Sequence, residues 1–166
     1  MTRPREQEAL LSVTNAFEDT IFVNQSTGAT ANATQYALNL FPNFGPAQAD
    51  KVSSLYGGLG TQLFQETAIM GESIFICPTY YVLNAFAGRS FKGEFAIPPA
   101  VHGQDVPNYF PSILIDFPEL ASEFAPFEFN NTAFIDAFAQ SFTSFAISLD
   151  PNIKIDRTIT PKWNKW

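Results

Sequence analysis

One cysteine and one histidine stand in a chain of 166 residues. The lone Cys77 excludes an internal disulfide and a cysteine-based zinc site, and its expected state is a buried thiol. Positive charge is scarce too, with 9 Lys and Arg against 16 Asp and Glu, and most cations lie near the two ends. Between Glu6 and Ile153 only Lys51, Arg89 and Lys92 oppose the acids. The body of the chain therefore has no basic patch for a phosphate backbone, and nucleic acid is not an expected partner. No run reaches the 18 or so apolar residues of a membrane span, so no transmembrane segment is expected. The opening MTRPREQEALLSVTN has no apolar stretch of about 7 to 15 residues, and no secretory signal is visible in it.

What is abundant is apolar and aromatic: 46% of residues are hydrophobic and 18 are phenylalanine. That composition argues against disorder, and the length suits one domain burying roughly 70% of its unfolded surface. Acceptor triplets for N-glycosylation at Asn24, Asn32 and Asn130 fit a secreted, glycosylated parent without establishing one.

The chemistry gathers around the single histidine, in FKGEFAIPPAVHGQDVPNYF from Phe91 to Phe110. Phe91, Phe95 and Ile97 alternate with Lys92, Glu94 and Ala96, which is the period of a strand. Pro98-Pro99 stops it, because proline cannot donate to a ladder. His102 thus falls in a loop at a strand's carboxyl edge, where open α/β sheets bind ligands. Asp105 is placed to N-cap a brief helical turn begun near Pro107. A metal site built from His102, Asp105 and nearby acids is disfavoured, since one nitrogen and irregularly spaced carboxylates do not make the three-ligand geometry of zinc chemistry. No cofactor is expected.

This segment resembles the catalytic-histidine region of the type-B carboxylesterases, the α/β-hydrolases that include cholinesterases and large secreted fungal lipases. A second segment, VTNAFEDTIFVN, is similar to the acid motif of that family. The resemblance implies an α/β fold, with Glu18 as the acid and His102 as the general base of a Ser-Glu-His triad, acting on a small-molecule or lipid carboxylic ester. Asp19 stands where the family usually has glycine after the glutamate. Aspartate tolerates positive φ at a cost of about 1 to 2 kcal/mol if the position requires it. A second carboxylate beside Glu18 would also raise the pKa of one of the pair.

The layout between the motifs supports their meeting. Leu10 to Asn15 reads as a buried parallel strand. A polar loop from Asn24 to Thr30 follows, and then helical segments near Ala33 to Leu40, from Pro46 to Tyr56, from Thr61 to Met70 and from Glu72 to Ala87. Gly45-Pro46 opens the second of these and Gly57 closes it, while Gly71 and Pro78 mark a weak point and a kink. Strand, helices, strand is a crossover unit, which makes its two strands parallel. Glu18 and His102 then hang from one edge of the sheet. After them, Phe110 to Phe129 reads as loop and short turns. Asn131 or Thr132 caps a last helix with a core-facing stripe of Phe134, Ile135, Phe138, Phe142, Phe145 and Leu149. The tail TITPKWNKW is extended, and resembles the stretch before the family's final short strand.

A serine hydrolase of this kind needs a nucleophile on a G-x-S-x-G elbow. Gly71-Glu72-Ser73-Ile74-Phe75 lacks the last glycine and has no strand before it. In the family's order the serine and the oxyanion glycines precede the glutamate. Residues 1–166 are accordingly expected to be a partial type-B carboxylesterase domain without its nucleophile half, inactive alone and bearing an incomplete sheet. The alternative is a non-catalytic, partner-binding member of the same fold. By resemblance the complete parent is expected to be extracellular.

Overall fold

Two six-residue strands carry the frame: β1 (Leu10–Asn15) and β2 (Ser90–Phe95). They pair in parallel, in register from Leu10↔Ser90 to Asn15↔Phe95. The computed structural model describes residues 8–25, 31–120 and 130–166. The sequence expectations for 26–30 and 121–129 lie outside the described residues. Among the described residues the sheet has two strands, and no strand pairs the other edge of β1.

The connection is helical, as the periodicity required. Asn32 starts α1 (Ala33–Leu40) by accepting the Gln35 N–H at 2.9 Å. Gly45 precedes α2 (Pro46–Tyr56), with proline in the first turn, where a missing N–H costs nothing. Thr61 caps α3 (Gln62–Gly71) on the Phe64 N–H at 3.2 Å. The expected kink takes the form of a π-helical turn over Glu72–Ile76, leading into α4 (Cys77–Ala85). Pro78 offers no N–H to the preceding turn, and a wider turn absorbs the mismatch. Cys77 is exposed rather than buried. Leu83 is the buried residue of α4, so most of that helix faces outward.

Beyond β2 come α5 (Val106–Tyr109), α6 (Ile113–Asp116) and a 3-10 turn at Pro118–Leu120. The last helix is α7 (Thr132–Ser148), capped by Asn131, which accepts the Phe134 N–H at 3.1 Å. Its phenylalanine stripe faces inward. Phe95, Ala100 and Phe138 form the buried cluster, with Val13, Ile97, Tyr109, Phe134 and Phe142 packed against it. Leu149 leaves the stripe: it is 40% exposed and adopts φ 60 as the left-handed C-cap of α7. The helix ends one residue earlier than the stripe, at the approach of Asp150-Pro151.

The tail closes over the outer side of β2. Lys165 makes an antiparallel bridge with Phe91, and the Trp166 N–H donates to the Ser90 carbonyl at 2.8 Å. Trp163 packs on Gly93, where a Cβ would come within 2.7 Å of its ring. Asn152 clasps the Trp163 backbone, accepting its N–H at 2.8 Å and donating to its carbonyl at 3.1 Å.

Candidate functional site

The ladder continues past the strand ends and sets the site. The Ala16 N–H donates to the Phe95 carbonyl at 3.0 Å. The chain after β2 then loops out through the cis Pro98–Pro99 bond and returns, so that Phe17 pairs with Val101 in a parallel bridge. The Phe17 N–H donates to the Ala100 carbonyl at 2.9 Å. Ala100 makes this return with φ 54, buried in the core cluster. The next residue on each side is Glu18 or His102. That bridge brings them together across 84 positions.

His102 Nδ1 lies 2.7 Å from Glu18 Oε2. Glu18 is buried, while the His102 side chain is 44% exposed. The other carboxylate oxygen, Oε1, accepts the Asn15 backbone N–H at 2.6 Å, with the Asn15 amide 3.5 Å away. The imidazole is flanked by Phe22 and Phe75, with centroids 5.2 Å and 5.0 Å from it. Charge-assisted bonds on both carboxylate oxygens hold the acid in one orientation. The arrangement can keep a proton on Nδ1 and present Nε2 at the surface as an acceptor.

Asp105 stands at the N-cap position of α5 but makes no capping bond with its side chain. Its Oδ1 accepts from Asn15 Nδ2 at 2.9 Å and its Oδ2 accepts from the Tyr109 hydroxyl. Both oxygens are therefore turned toward Asn15 and Tyr109, and the carboxylate does not join His102. The Tyr109 hydroxyl is pushed up from its ordinary value by burial, then by its bond to Asp105 and that group's charge.

Asp19 does not adopt positive φ. Its carboxyl is buried against Gly71, where a Cβ would stand 2.9 Å from the Asp19 Cγ. Glycine at position 71 thus opens the room that a longer side chain after Glu18 needs. The Asp19 carboxyl is raised first by burial, and further by the charges of Glu18 and Glu72. The Glu18 carboxylate adds to this shift in the direction expected, but burial leads it.

Ser73 is no nucleophile in this geometry, since its hydroxyl donates back to the Ile69 carbonyl within the helical segment. A groove of 730 Å³ runs between β2, α7 and the tail, lined by Phe95, Phe134 and Trp163 among others, and contains neither Glu18 nor His102. Sequence reasoning missed Asn15 and Tyr109 as members of the site. The available signal was spacing: Asn15 precedes Glu18 by three residues, as Asp105 follows His102 by three.

No protein-family model matches the sequence, and no curated protein matches it. Among solved structures, the crystal structure of Aspergillus niger EstA superposes with a TM-score of 0.72 at 18% identity, over 95% of this chain and 33% of that one. The two share a fold. The chain spans about a third of the length of EstA. The architecture is α/β, as the sequence led us to expect, and EstA contains its counterpart within a longer chain.

Proposed function

We propose that this chain supplies the acid and the general base of a carboxylic-ester hydrolase, with Glu18 and His102 in those roles. The observation that carries the reading is the 2.7 Å contact between Glu18 Oε2 and His102 Nδ1, which engages Nδ1 and not Nε2 on a half-exposed side chain. The fold shared with EstA, an esterase by its name, supports it. In the complete reaction a serine Oγ from the nucleophile-bearing part attacks the ester carbonyl and gives its proton to Nε2. The imidazolium returns that proton to the departing alkoxide, and water repeats the sequence to release the acid. Glu18 holds the ring and stabilises its cationic form. In this reading the serine and the oxyanion donors come from residues other than the described ones, and Glu18 and His102 take the places that the acid and the histidine hold in a type-B carboxylesterase or lipase domain.

Exposed Phe17, Ile21 and Phe22 on the segment that carries Glu18 also favour a second reading, a non-catalytic surface that binds a partner. The two separate on one experiment. A protein joining a serine-bearing amino-terminal part to this chain should hydrolyse a p-nitrophenyl ester, and His102→Ala should lower kcat by about 10²-fold or more. Undiminished turnover in that variant would remove the catalytic reading.

A further inference from the structure

Two loops meet at the carboxyl edge of the sheet, and each brings a pair of polar residues three positions apart. One contributes Asn15 and Glu18, the other His102 and Asp105. Glu18 meets His102 at 2.7 Å and Asn15 meets Asp105 at 2.9 Å. These two cross-links and the two chain segments close a ring. Asp105 is held further by the Tyr109 hydroxyl, and the Tyr109 ring is packed on Phe138 at 4.8 Å and Phe142 at 4.3 Å. A rigid path therefore runs from the aromatic core to the acid.

The chemistry of the ring is selective. Asn15, Glu18 and Asp105 are 2%, 6% and 8% exposed, so each polar atom needs a protein partner. Asn15 Oδ1 has none. An orphaned buried acceptor costs about 1 to 3 kcal/mol, and turning the amide over would aim its oxygen at two carboxylates. What the site uses is the pair of amide donors, placed between two acids that would otherwise repel. Asp105 forgoes capping α5 to serve the same ring.

We propose that Asn15 and Asp105 are positioning residues, which hold Glu18 on His102 Nδ1 and so fix the imidazole as its Nδ1–H tautomer. The inference rests on the pairing of Glu18 with His102 proposed above. Without the Asn15 to Asp105 link, the loops are tied by the Phe17 to Val101 bridge, the pair itself and the Phe22 contact with the imidazole. The carboxylate then gains freedom to swing, and the imidazole hydrogen is no longer assigned to one nitrogen.

His102 is the sole histidine, so a chain labelled with ¹⁵N-histidine gives one imidazole in a long-range ¹H–¹⁵N spectrum. For the full chain at alkaline pH the Nδ1–H tautomer should predominate. Asp105→Ala should shift it to an even or Nε2–H-dominated mixture, while Asp105→Asn, which keeps an acceptor for Asn15, should restore the predominance. An unchanged tautomer in folded Asp105→Ala overturns the proposal. Should that variant lose its dispersed amide spectrum, Asn15→Ser decides instead, because it deletes the bridge while the Asn15 backbone N–H stays on Glu18. Retention of the Nδ1–H form there overturns the proposal and its loss supports it. A different failure, no Nδ1–H predominance in the unsubstituted chain, would overturn the Glu18–His102 pairing itself and this inference with it.

Discussion

Asp19 shows how a single side chain next to a buried acid alters the behaviour of the whole. Its raised carboxyl binds a proton more tightly in the folded chain than in the unfolded one. Glu66 is raised in the same direction by burial, with one carboxylate oxygen unpartnered among the described residues. For groups of this sign the stabilising contribution is complete below the unfolded pKa and declines as pH rises through the folded value. Thermal melts taken from about pH 4 upward should therefore show these carboxyls eroding stability as they ionise. Asp19→Asn should flatten that decline and raise Tm at neutral pH, and an unaltered profile would mean the charge is relieved by another route. Glu18 and His102 were legible at this scale because each sits in an ordered motif. Asn15 was not, because an asparagine at a strand end reads equally well as a turn residue. Cys77 misled for a related reason, since burial frequency describes the residue type and not the outward face of α4.

The helices were largely legible as elements, because their ends are chemically marked. Gly45-Pro46, Thr61 and Asn131 all sit where the capping rules put them. The departures come from competition. The Asp105 carboxylate finds two better partners than the α5 backbone, and Leu149 takes the left-handed cap because Asp150-Pro151 prevents another turn. The π-helical turn at Glu72–Ile76 has no residue signature beyond the proline that follows it. Packing of α7 on the sheet depends most on Phe138, which touches Phe95, Tyr109, Phe134 and Phe142. Phe138→Ala should cost about 3 to 5 kcal/mol, measured as a shift in the urea midpoint followed by circular dichroism. A loss under about 1 kcal/mol would show that the aromatic ladder repacks without it.

At the scale of the molecule, α4 packs on both strands while α1, α2 and α3 pack on one another, and the outward edge of β1 has no strand against it among the described residues. Unpaired strand edges invite pairing with other chains. Sedimentation of the 166-residue chain should show association that grows with concentration, and a monomer that melts cooperatively at high temperature would contradict this. The crossover was legible because strand, helices and strand occurred in that order; the outward loop through Pro98–Pro99, which sets the Phe17 to Val101 register, was not, because no local pattern announces where a chain returns. That register also orders events in time. The helical hairpins join near neighbours in sequence, whereas Leu10 must find Ser90 across the whole helical connection and Glu18 must find His102 across 84 positions. Each doubling of a loop adds about 0.6 kcal/mol to its closure, and contacts of long separation form slowly. Helices α1 to α4 would then be in place before the two loops dock, and the imidazole would be among the last groups to reach its native surroundings, a built-in clock for the end of folding.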